Sequence, residues 1–134
     1  MGLPGAGKTW LSERLSKHLE CAWFNADKVR EMANDWDFSP EGRIRQANRM
    51  RSLADFEKAN GRTVICDFVC PTVQARESFE ADLTIFIDTL KEGRFEDTNK
   101  MFQRPDHADH VVDRHLSDEE IEGLANGLKQ KNNT

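Results

Sequence analysis

The amino terminus carries the feature that most constrains how this chain can fold. Residues 2–9 read Gly-Leu-Pro-Gly-Ala-Gly-Lys-Thr, which is the pattern G-x-x-x-x-G-K-[ST]. In such a loop, backbone N–H groups and the positive end of the next helix bind the phosphates of a nucleotide. Leu11, Leu15 and Leu19 follow at helical spacing, so the required loop-then-helix context is present. The sequence therefore predicts a nucleotide-binding Walker A loop.

This loop also predicts roles for individual residues, with ATP and Mg²⁺ as cofactors. Lys8 would reach the β- and γ-phosphates and serve catalysis, and Thr9 would offer its hydroxyl to Mg²⁺. The predicted nucleotide-binding residues of the loop are Gly2, Gly5, Ala6, Gly7, Lys8 and Thr9.

A buried, apolar strand normally leads into such a loop, yet only Met1 precedes Gly2. A strand has about five residues, and each of its hydrogen bonds contributes about 1 kcal/mol. Their sum is comparable with the stability margin of a whole domain. We therefore expect that the first strand is missing from this sequence, and that its start is truncated or misassigned.

Composition predicts one soluble globular domain over residues 1–134, with 32% charged and 37% hydrophobic residues. The net charge of −5 argues against broad nucleic-acid binding. No apolar run reaches the length of a membrane span, and no signal peptide is visible. Three cysteines without zinc-type spacing indicate reduced thiols in a cytoplasmic protein. A monomer and a homodimer are both compatible with the sequence.

Strand and helix patterns alternate along the chain, which predicts an α/β fold of the P-loop NTPase type. Its parallel sheet would be flanked by helices and bind ligands at the carboxyl ends of the strands. Residues 93–104 are predicted to be irregular and the tail from Lys129 to be frayed. Predicted strands span residues 21–25, 63–69, 83–88 and 108–112; predicted helices span about 10–19, 28–34, 40–59, 72–80 and 117–128.

Several polar residues near the predicted strand ends have two readings. Asp27 either faces the γ-phosphate, where it orients an acceptor hydroxyl or holds a Mg²⁺-bound water, or caps the helix that follows. Asp67 either has a water-mediated Mg²⁺ role or caps a turn. Phe38 is either a core plug or a platform for stacking a base.

Arg43, on the same helical turn as Gln46, is suited to bind a phosphate or sulfate. The spacing of His107, His110 and His115 fits no helical metal pair and favours exposed histidines.

From Gly2 to about Val112 the chain resembles the adenylylsulfate kinases, which phosphorylate the 3′-hydroxyl of adenosine 5′-phosphosulfate in sulfate assimilation. Asn-Ala-Asp-Lys-Val-Arg at residues 25–30 is similar to the family's Asp-Gly-Asp-x-Val-Arg. The further similar stretches are Asp-Phe-Ser at 37–39, Gly-Arg at 42–43, Gln-Ala-Asn at 46–48, Phe-Val-Cys-Pro at 68–71 and Ile-Asp-Thr at 87–89.

The resemblance implies that Asp27 is the catalytic carboxylate and that Phe38 stacks on the adenine of the phosphosulfate. It implies that Arg94 contacts the transferring phosphate or the nucleotide, and that Phe102 is a second aromatic beside an adenine. The implied substrate-binding residues are Asp27, Arg30, Phe38, Arg43, Gln46, Val69, Cys70 and Phe102.

The chain also departs from the family pattern. Gly42 replaces an acid, Gln46 replaces Asn, Cys70 replaces Ser, and one residue is missing between Arg30 and Phe38. The family's longer lid is shortened to residues 92–102. Two other functions therefore stay open: another small-metabolite or nucleoside kinase of the same fold, and a nucleotide-binding module without turnover.

Overall fold

Helices and short strands alternate in the computed structural model, which describes residues 1–93 and 95–132, with side chains described through residue 130. None of the helices in these ranges is both long enough and apolar enough to cross a bilayer. The elements are α1 (Lys8–Leu19), β1 (Ala22–Asn25), α2 (Ala26–Ala33), α3 (Pro40–Ala59), β2 (Val64–Asp67), α4 (Val73–Phe79), β3 (Ile85–Ile87), α5 (Glu96–Met101), β4 (His110–Val112) and α6 (Asp118–Asn132).

The strands form two parallel pairs. β1 pairs with β2 in a register that places Asn25 opposite Asp67, and β3 pairs with β4 in a register that places Ile87 opposite Val112. The predicted α/β class, with parallel strands flanked by helices, is confirmed. In the described residues the two pairs are separate sheets. A cavity of about 710 Å³ lies between β2 and β3.

The apolar core joins the first and last helices to the β3–β4 pair. Leu11 and Leu15 of α1 cluster with Ile87, Val112 and the fully buried Ile121 of α6. Burying such aliphatic side chains stabilises a fold by about 1.5–3 kcal/mol each. This cluster therefore holds the phosphate loop, which precedes α1, over the carboxyl end of β3.

Three helices begin with a polar side chain that caps the first turn. The Ser39 hydroxyl accepts the N–H of Gly42 at 3.1 Å, and the Thr72 hydroxyl accepts the N–H of Ala75 at 3.1 Å. Ser117 and Glu120 form a reciprocal capping box, with each backbone N–H donating to the other side chain at 3.2 Å. These local hydrogen bonds satisfy N–H groups that have no partner within the helix.

Two local predictions are wrong. Residues 93–104 are not wholly irregular, because they contain α5, which has acidic residues in its first turn and Lys100 in its last. That charge order matches the helix dipole. The tail is not frayed from Lys129, since α6 continues to Asn132. Leu128 packs against the core cluster near the end of α6 and supports its last turns.

Met1 is bound to β3 through its backbone. Its ammonium donates to the carbonyl of Ile85 at 2.8 Å, and its carbonyl accepts the N–H of Ile87 at 2.8 Å. Burial, together with the nearby Lys8 ammonium, lowers the pKa of this amino group from 8.0 to about 6.

For a polypeptide that begins at Met1, this pKa predicts a pH-dependent stability. Between pH 6 and 8 the unfolded chain holds a proton on Met1 that the folded chain has released, so stability rises with pH across this window. The full effect is roughly 2–3 kcal/mol. Acetylation of Met1 removes the titrating group and should remove this part of the pH dependence. Urea unfolding of the acetylated and the unacetylated protein at pH 6 and pH 8 measures this pH dependence. An equal pH dependence in the two forms would contradict the prediction.

Candidate functional site

The phosphate loop closes over the end of β3 and opens into α1. Gly5 and Gly7 have positive φ angles of 85° and 105°, and Gly7 directly precedes the helix. A Cβ on Gly2 would lie 2.6 Å from the carbonyl oxygen of Ile87, so this position requires glycine. The Thr89 hydroxyl donates to the carbonyl of Ala6 at 2.7 Å and ties the loop to the segment after β3. This cradle of N–H groups at a helix N-terminus fits the phosphates of ATP.

Lys8 is folded back along the loop. Its Nζ donates to the carbonyl of Leu3 at 3.0 Å. Burial lowers the pKa of Lys8, and the negative charges of Asp67 and Asp27 act in the opposite direction. A partly desolvated ammonium in this position is suited to bind a phosphate oxygen, since an anion restores the favourable interactions that burial removes.

A hydrogen-bonded cluster joins the loop to the ends of two strands. The Thr9 hydroxyl donates to Oδ2 of Asp67 at 3.0 Å, and Nδ2 of Asn25 lies 3.1 Å from both atoms. Asp67 is buried, at 4% exposure, and sits at the end of β2. A hydroxyl and a carboxylate held together in this way are hard oxygen ligands that suit Mg²⁺ and its waters. The turn-capping alternative for Asp67 is not what the structure shows.

Asp27 lies at the second position of α2 and is exposed. The helix is capped by Asn25, whose Oδ1 accepts the N–H of Lys28 at 3.1 Å, so Asp27 is not the cap. Its carboxylate has no hydrogen bond or ion pair within residues 1–93 and 95–130. Its negative charge partly opposes the lowering of the Lys8 pKa and the Arg30 pKa by burial. A free carboxylate beside the phosphate-loop lysine is placed to accept a hydrogen bond from a hydroxyl.

Two of the predicted substrate-binding arginines meet at the ring of Phe38. The guanidinium carbons of Arg30 and Arg43 lie 4.4 Å and 5.4 Å from its centroid. Phe38 is 48% exposed, so it is not a core plug. Burial lowers the pKa of both arginines. These partly desolvated cations beside an open aromatic face form a site for an anionic, aromatic ligand.

Both arginines also hold the loop before α3. Nη1 of Arg30 donates to the carbonyls of Asp35 and Asp37, and Nε of Arg43 donates to that of Phe38 at 3.0 Å. A guanidinium has five N–H groups. Among the described residues, N–H groups therefore remain on each arginine for a ligand.

A second ring of polar contacts braces this loop from α3. Asp35 accepts from Arg45 at 2.8 Å and from Arg49 at 2.7 Å, and these hydrogen bonds hold the pKa of Asp35 well below its usual range. Arg49 also donates to Gln46 at 2.6 Å, and Gln46 donates to the carbonyl of Ala26 at 3.1 Å. Gln46 thus lies near the site but is used for bracing. Asp35 was not predicted, because its partners lie ten and more residues away.

The helix in the shortened lid reaches Arg43. Thr98 of α5 is buried, and its hydroxyl accepts from Nη2 of Arg43 at 3.0 Å. Phe102 stacks on Phe86 with ring centroids 6.0 Å apart, and Arg76 lies 5.5 Å from its ring. The lid thus contacts Arg43 through Thr98, which was missed because its segment was predicted to be irregular.

Of the remaining predicted residues, Val69 and Cys70 follow β2, and Arg94 is outside the description. Val69 is half-buried after β2, and Cys70 packs with Ala47 and Ala75. Burial raises the pKa of the Cys70 thiol to about 11, so it is not a reactive thiolate. Arg94 lies outside the described residues. Among those described, no three His, Cys, Asp or Glu side chains are grouped to hold a metal, and the His115 ring lies 4.1 Å from that of Trp10.

The glycine at position 42 is required for a steric reason. A Cβ at this position would lie 2.2 Å from the carbonyl oxygen of Asp37, because the loop before α3 packs directly on the helix. The acid that the resemblance implies at this position would clash with this carbonyl.

Gly42→Ala should therefore destabilise the protein by about 1–3 kcal/mol through overpacking. Gly123→Ala is the matched control, since a Cβ in that α6 position meets nothing within 4 Å. It should stabilise by about 0.5–1 kcal/mol. Denaturant unfolding measures the free energy of unfolding of both variants. Equal values would show that the loop before α3 moves away from the added Cβ without a cost in stability.

A glycine loop opening into a helix, its lysine, and a threonine bonded to an aspartate at a strand end define a P-loop kinase fold and site. Residues 1–112 match the family model described as Adenylylsulphate kinase. The chain belongs to this family.

A curated relative and two solved structures show how far the similarity extends. A probable adenylyl-sulfate kinase of Aeropyrum pernix is 36% identical over 84 residues, which cover 56% of this chain and 44% of the relative. The chain thus matches less than half of that relative's length. An APS kinase of Mycobacterium tuberculosis, solved with AMPPNP and APS, superposes with a TM-score of 0.80 at 20% identity, covering 96% of this chain and 94% of the other.

A sugar kinase from Janibacter has a TM-score of 0.72 at 16% identity, covering 97% of this chain and 91% of the other. The fold is therefore shared by kinases with different acceptors, and the substrate must be argued from the site.

Proposed function

We propose that this protein is an adenylylsulfate kinase, which transfers the γ-phosphoryl group of MgATP to the 3′-hydroxyl of adenosine 5′-phosphosulfate and forms 3′-phosphoadenylylsulfate. The observation that carries the proposal is the placement of Arg30 and Arg43 around the exposed ring of Phe38. A ligand with a purine and an anionic end matches both features. A simple sugar has neither.

The nucleotide end is built from the loop. Bound MgATP would supply the phosphoryl group and the charge-neutralising metal. Gly2, Gly5, Ala6 and Gly7 would hold its phosphates with backbone N–H groups, Lys8 would bind the β- and γ-phosphates, and Thr9 with Asp67 would hold the metal and its waters. Phosphoryl transfer needs little covalent participation by the protein, so positioning and charge are what these residues contribute.

The acceptor end is built from α2, α3 and the loop between them. The unpaired carboxylate of Asp27 would orient the acceptor hydroxyl and take its proton. Phe38 would stack on the adenine, and the remaining N–H groups of Arg30 and Arg43 would bind the phosphosulfate. Gln46, Val69, Cys70 and Phe102 are proposed to line this end, and Arg94 to contact the phosphates.

Adenosine 5′-phosphosulfate should stimulate ADP formation strongly, whereas gluconate, shikimate and plain nucleosides should not. Arg43→Ala should raise the KM for the phosphosulfate by roughly 10- to 100-fold, because a charge-assisted hydrogen-bond pair contributes about 1.5–3 kcal/mol. The KM for ATP should hardly change.

Arg114→Ala is the control for this variant, since Arg114 forms an exposed ion pair with Glu120 on α6. The Arg114→Ala variant should leave the KM for the phosphosulfate and the KM for ATP unchanged. ADP release driven by a different hydroxyl compound would show a P-loop kinase with another substrate. If ATP binds but no acceptor stimulates ADP release, a nucleotide-binding module without turnover would be favoured.

Asp27→Asn should lower kcat by about 100-fold or more while leaving ATP affinity largely intact, because the amide cannot accept the proton of the acceptor hydroxyl. Asp55→Asn provides a control, since Asp55 pairs with Arg51 on α3. Single-turnover kinetics and nucleotide titration separate the two effects. A normal kcat in a folded Asp27→Asn protein would remove Asp27 from the mechanism.

A further inference from the structure

Helix α5 places two neighbouring side chains against different parts of the site. Thr98 contacts Arg43 at the acceptor end, and Asn99 contacts Gly93, which lies beside the phosphate loop. Consecutive residues of an α-helix point about 100° apart, so one short helix can reach two partners on different sides. Helix α5 is therefore in contact with both ends of the site.

Thr98 fixes the orientation of the Arg43 guanidinium. Its hydroxyl is buried at 5% exposure and accepts from Nη2 of Arg43 at 3.0 Å. Nε of the same guanidinium donates to the carbonyl of Phe38 at 3.0 Å. A guanidinium is planar, so two acceptors on different segments set its plane and the direction of its other N–H groups.

The first turn of α5 also carries negative charge near this cation. Burial lowers the pKa of Arg43, and the carboxylate of Asp97 opposes that lowering. The helix thus stabilises the Arg43 cation in its partly buried position without a ligand. An anion that binds there meets a guanidinium that is already oriented, and less conformational entropy is lost on binding.

Asn99 connects the same helix to the phosphate loop. Its side-chain amide accepts the N–H of Gly93 at 2.7 Å and donates to the Gly93 carbonyl at 2.8 Å. A Cβ on Gly93 would lie 3.3 Å from the carbonyl oxygen of Pro4, so the Gly93 backbone packs closely on that residue of the loop. The position of α5 is thereby set against the loop that holds the phosphates.

The segment after α5 holds the other end of the helix. The backbone N–H of Gln103 donates to the carbonyl of Pro71 at 2.7 Å, and its side-chain oxygen accepts the N–H of Val73 at 2.8 Å. Arg104 donates to both carboxylate oxygens of Asp88, at 2.9 and 2.6 Å. Helix α5 is thus braced at both ends, so that a side chain on it can fix the place of another group.

We propose that Thr98 and Asn99 are positioning residues that together set the place of Arg43 relative to the phosphate loop. Thr98 sets the direction of the guanidinium, and Asn99 sets its distance from the loop by holding α5 to Gly93. The acceptor's anionic group is thereby placed relative to the phosphates of ATP. This inference rests on the proposed function of Arg43 in binding that group.

Thr98→Val tests the first contact, because valine has nearly the shape of threonine but lacks the hydroxyl. The variant should raise the KM for adenosine 5′-phosphosulfate roughly tenfold, the factor for one hydrogen bond to a charged group, with kcat and the KM for ATP little changed. Thr98→Ser keeps the hydroxyl and should restore the KM. Leu124→Ala, which removes a side chain packed on the core from α6, should lower the thermal midpoint Tm without changing the KM.

A second measurement uses the free protein. The rate of rotation about the Cζ–Nε bond of Arg43, measured by ¹⁵N NMR of its guanidinium, should rise about tenfold in Thr98→Val and stay unchanged in Thr98→Ser. An unchanged rate in Thr98→Val would overturn the role of Thr98 whatever the substrate is. A fall in Tm with an unchanged KM, as in Leu124→Ala, would overturn it as well.

Asn99→Ala tests the connection to the phosphate loop. This variant should lower kcat roughly tenfold, because a small misplacement of the acceptor relative to the γ-phosphate slows transfer. The Arg43 rotation rate should stay unchanged. Asn60→Ala is the control, since the Asn60 amide donates to the carbonyl of Phe56 at the end of α3, and it should leave kcat unchanged. A normal kcat in Asn99→Ala would overturn the role of Asn99.

Failure of the proposed function is distinguishable from failure of this inference. If adenosine 5′-phosphosulfate does not stimulate ADP formation by the unsubstituted protein, the proposed substrate is wrong. The NMR comparison needs no ligand, so a faster Arg43 rotation in Thr98→Val alone would still support the role of Thr98. The kcat of Asn99→Ala is then measured with the hydroxyl compound that does stimulate ADP formation.

Discussion

The carboxylate of Asp67 is the interaction on which the rest of the site depends. It accepts hydrogen bonds from Thr9 at the start of α1 and from Asn25 at the end of β1, and it closes β2 itself. Three elements that are distant in the sequence thereby meet at one buried charge. Hydrogen bonds to a charged group contribute about 1.5–3 kcal/mol each, and leaving this carboxylate without partners would be costly. Because Asn25 also caps α2, the same cluster fixes where Asp27 emerges.

The arginines at the acceptor end have both a structural and a binding function. Arg30 and Arg43 donate to loop carbonyls and thereby shape the loop that presents Phe38. Their burial leaves positive charge poorly solvated, which favours the binding of an anion. The loop is held from the other side by Asp35, whose partners come from α3. A site that is braced before the ligand arrives loses less conformational entropy on binding.

The parts of this structure that could be predicted are those specified by neighbouring residues. The phosphate loop is a continuous pattern over residues 2–9, and the helix caps at Ser39 and Ser117 are hydrogen-bond patterns visible within four residues of sequence. Helix α5 was missed because its six residues have no apolar periodicity, although the acidic first turn and Lys100 were a signal. The contacts of Asp35 and Thr98 join distant segments, so no local pattern specifies them. The division of the strands into two pairs depends on the packing of the whole chain.

The loop before α3 restricts which residue the helix can carry at position 42. The carbonyl of Asp37 lies where a side chain at position 42 would begin, because the loop before α3 packs directly on the helix. A substitution that introduces an acid at position 42 without changing this loop would place its Cβ against that carbonyl. A chimera that brings a larger residue to position 42 must therefore exchange residues 30–42 as one block.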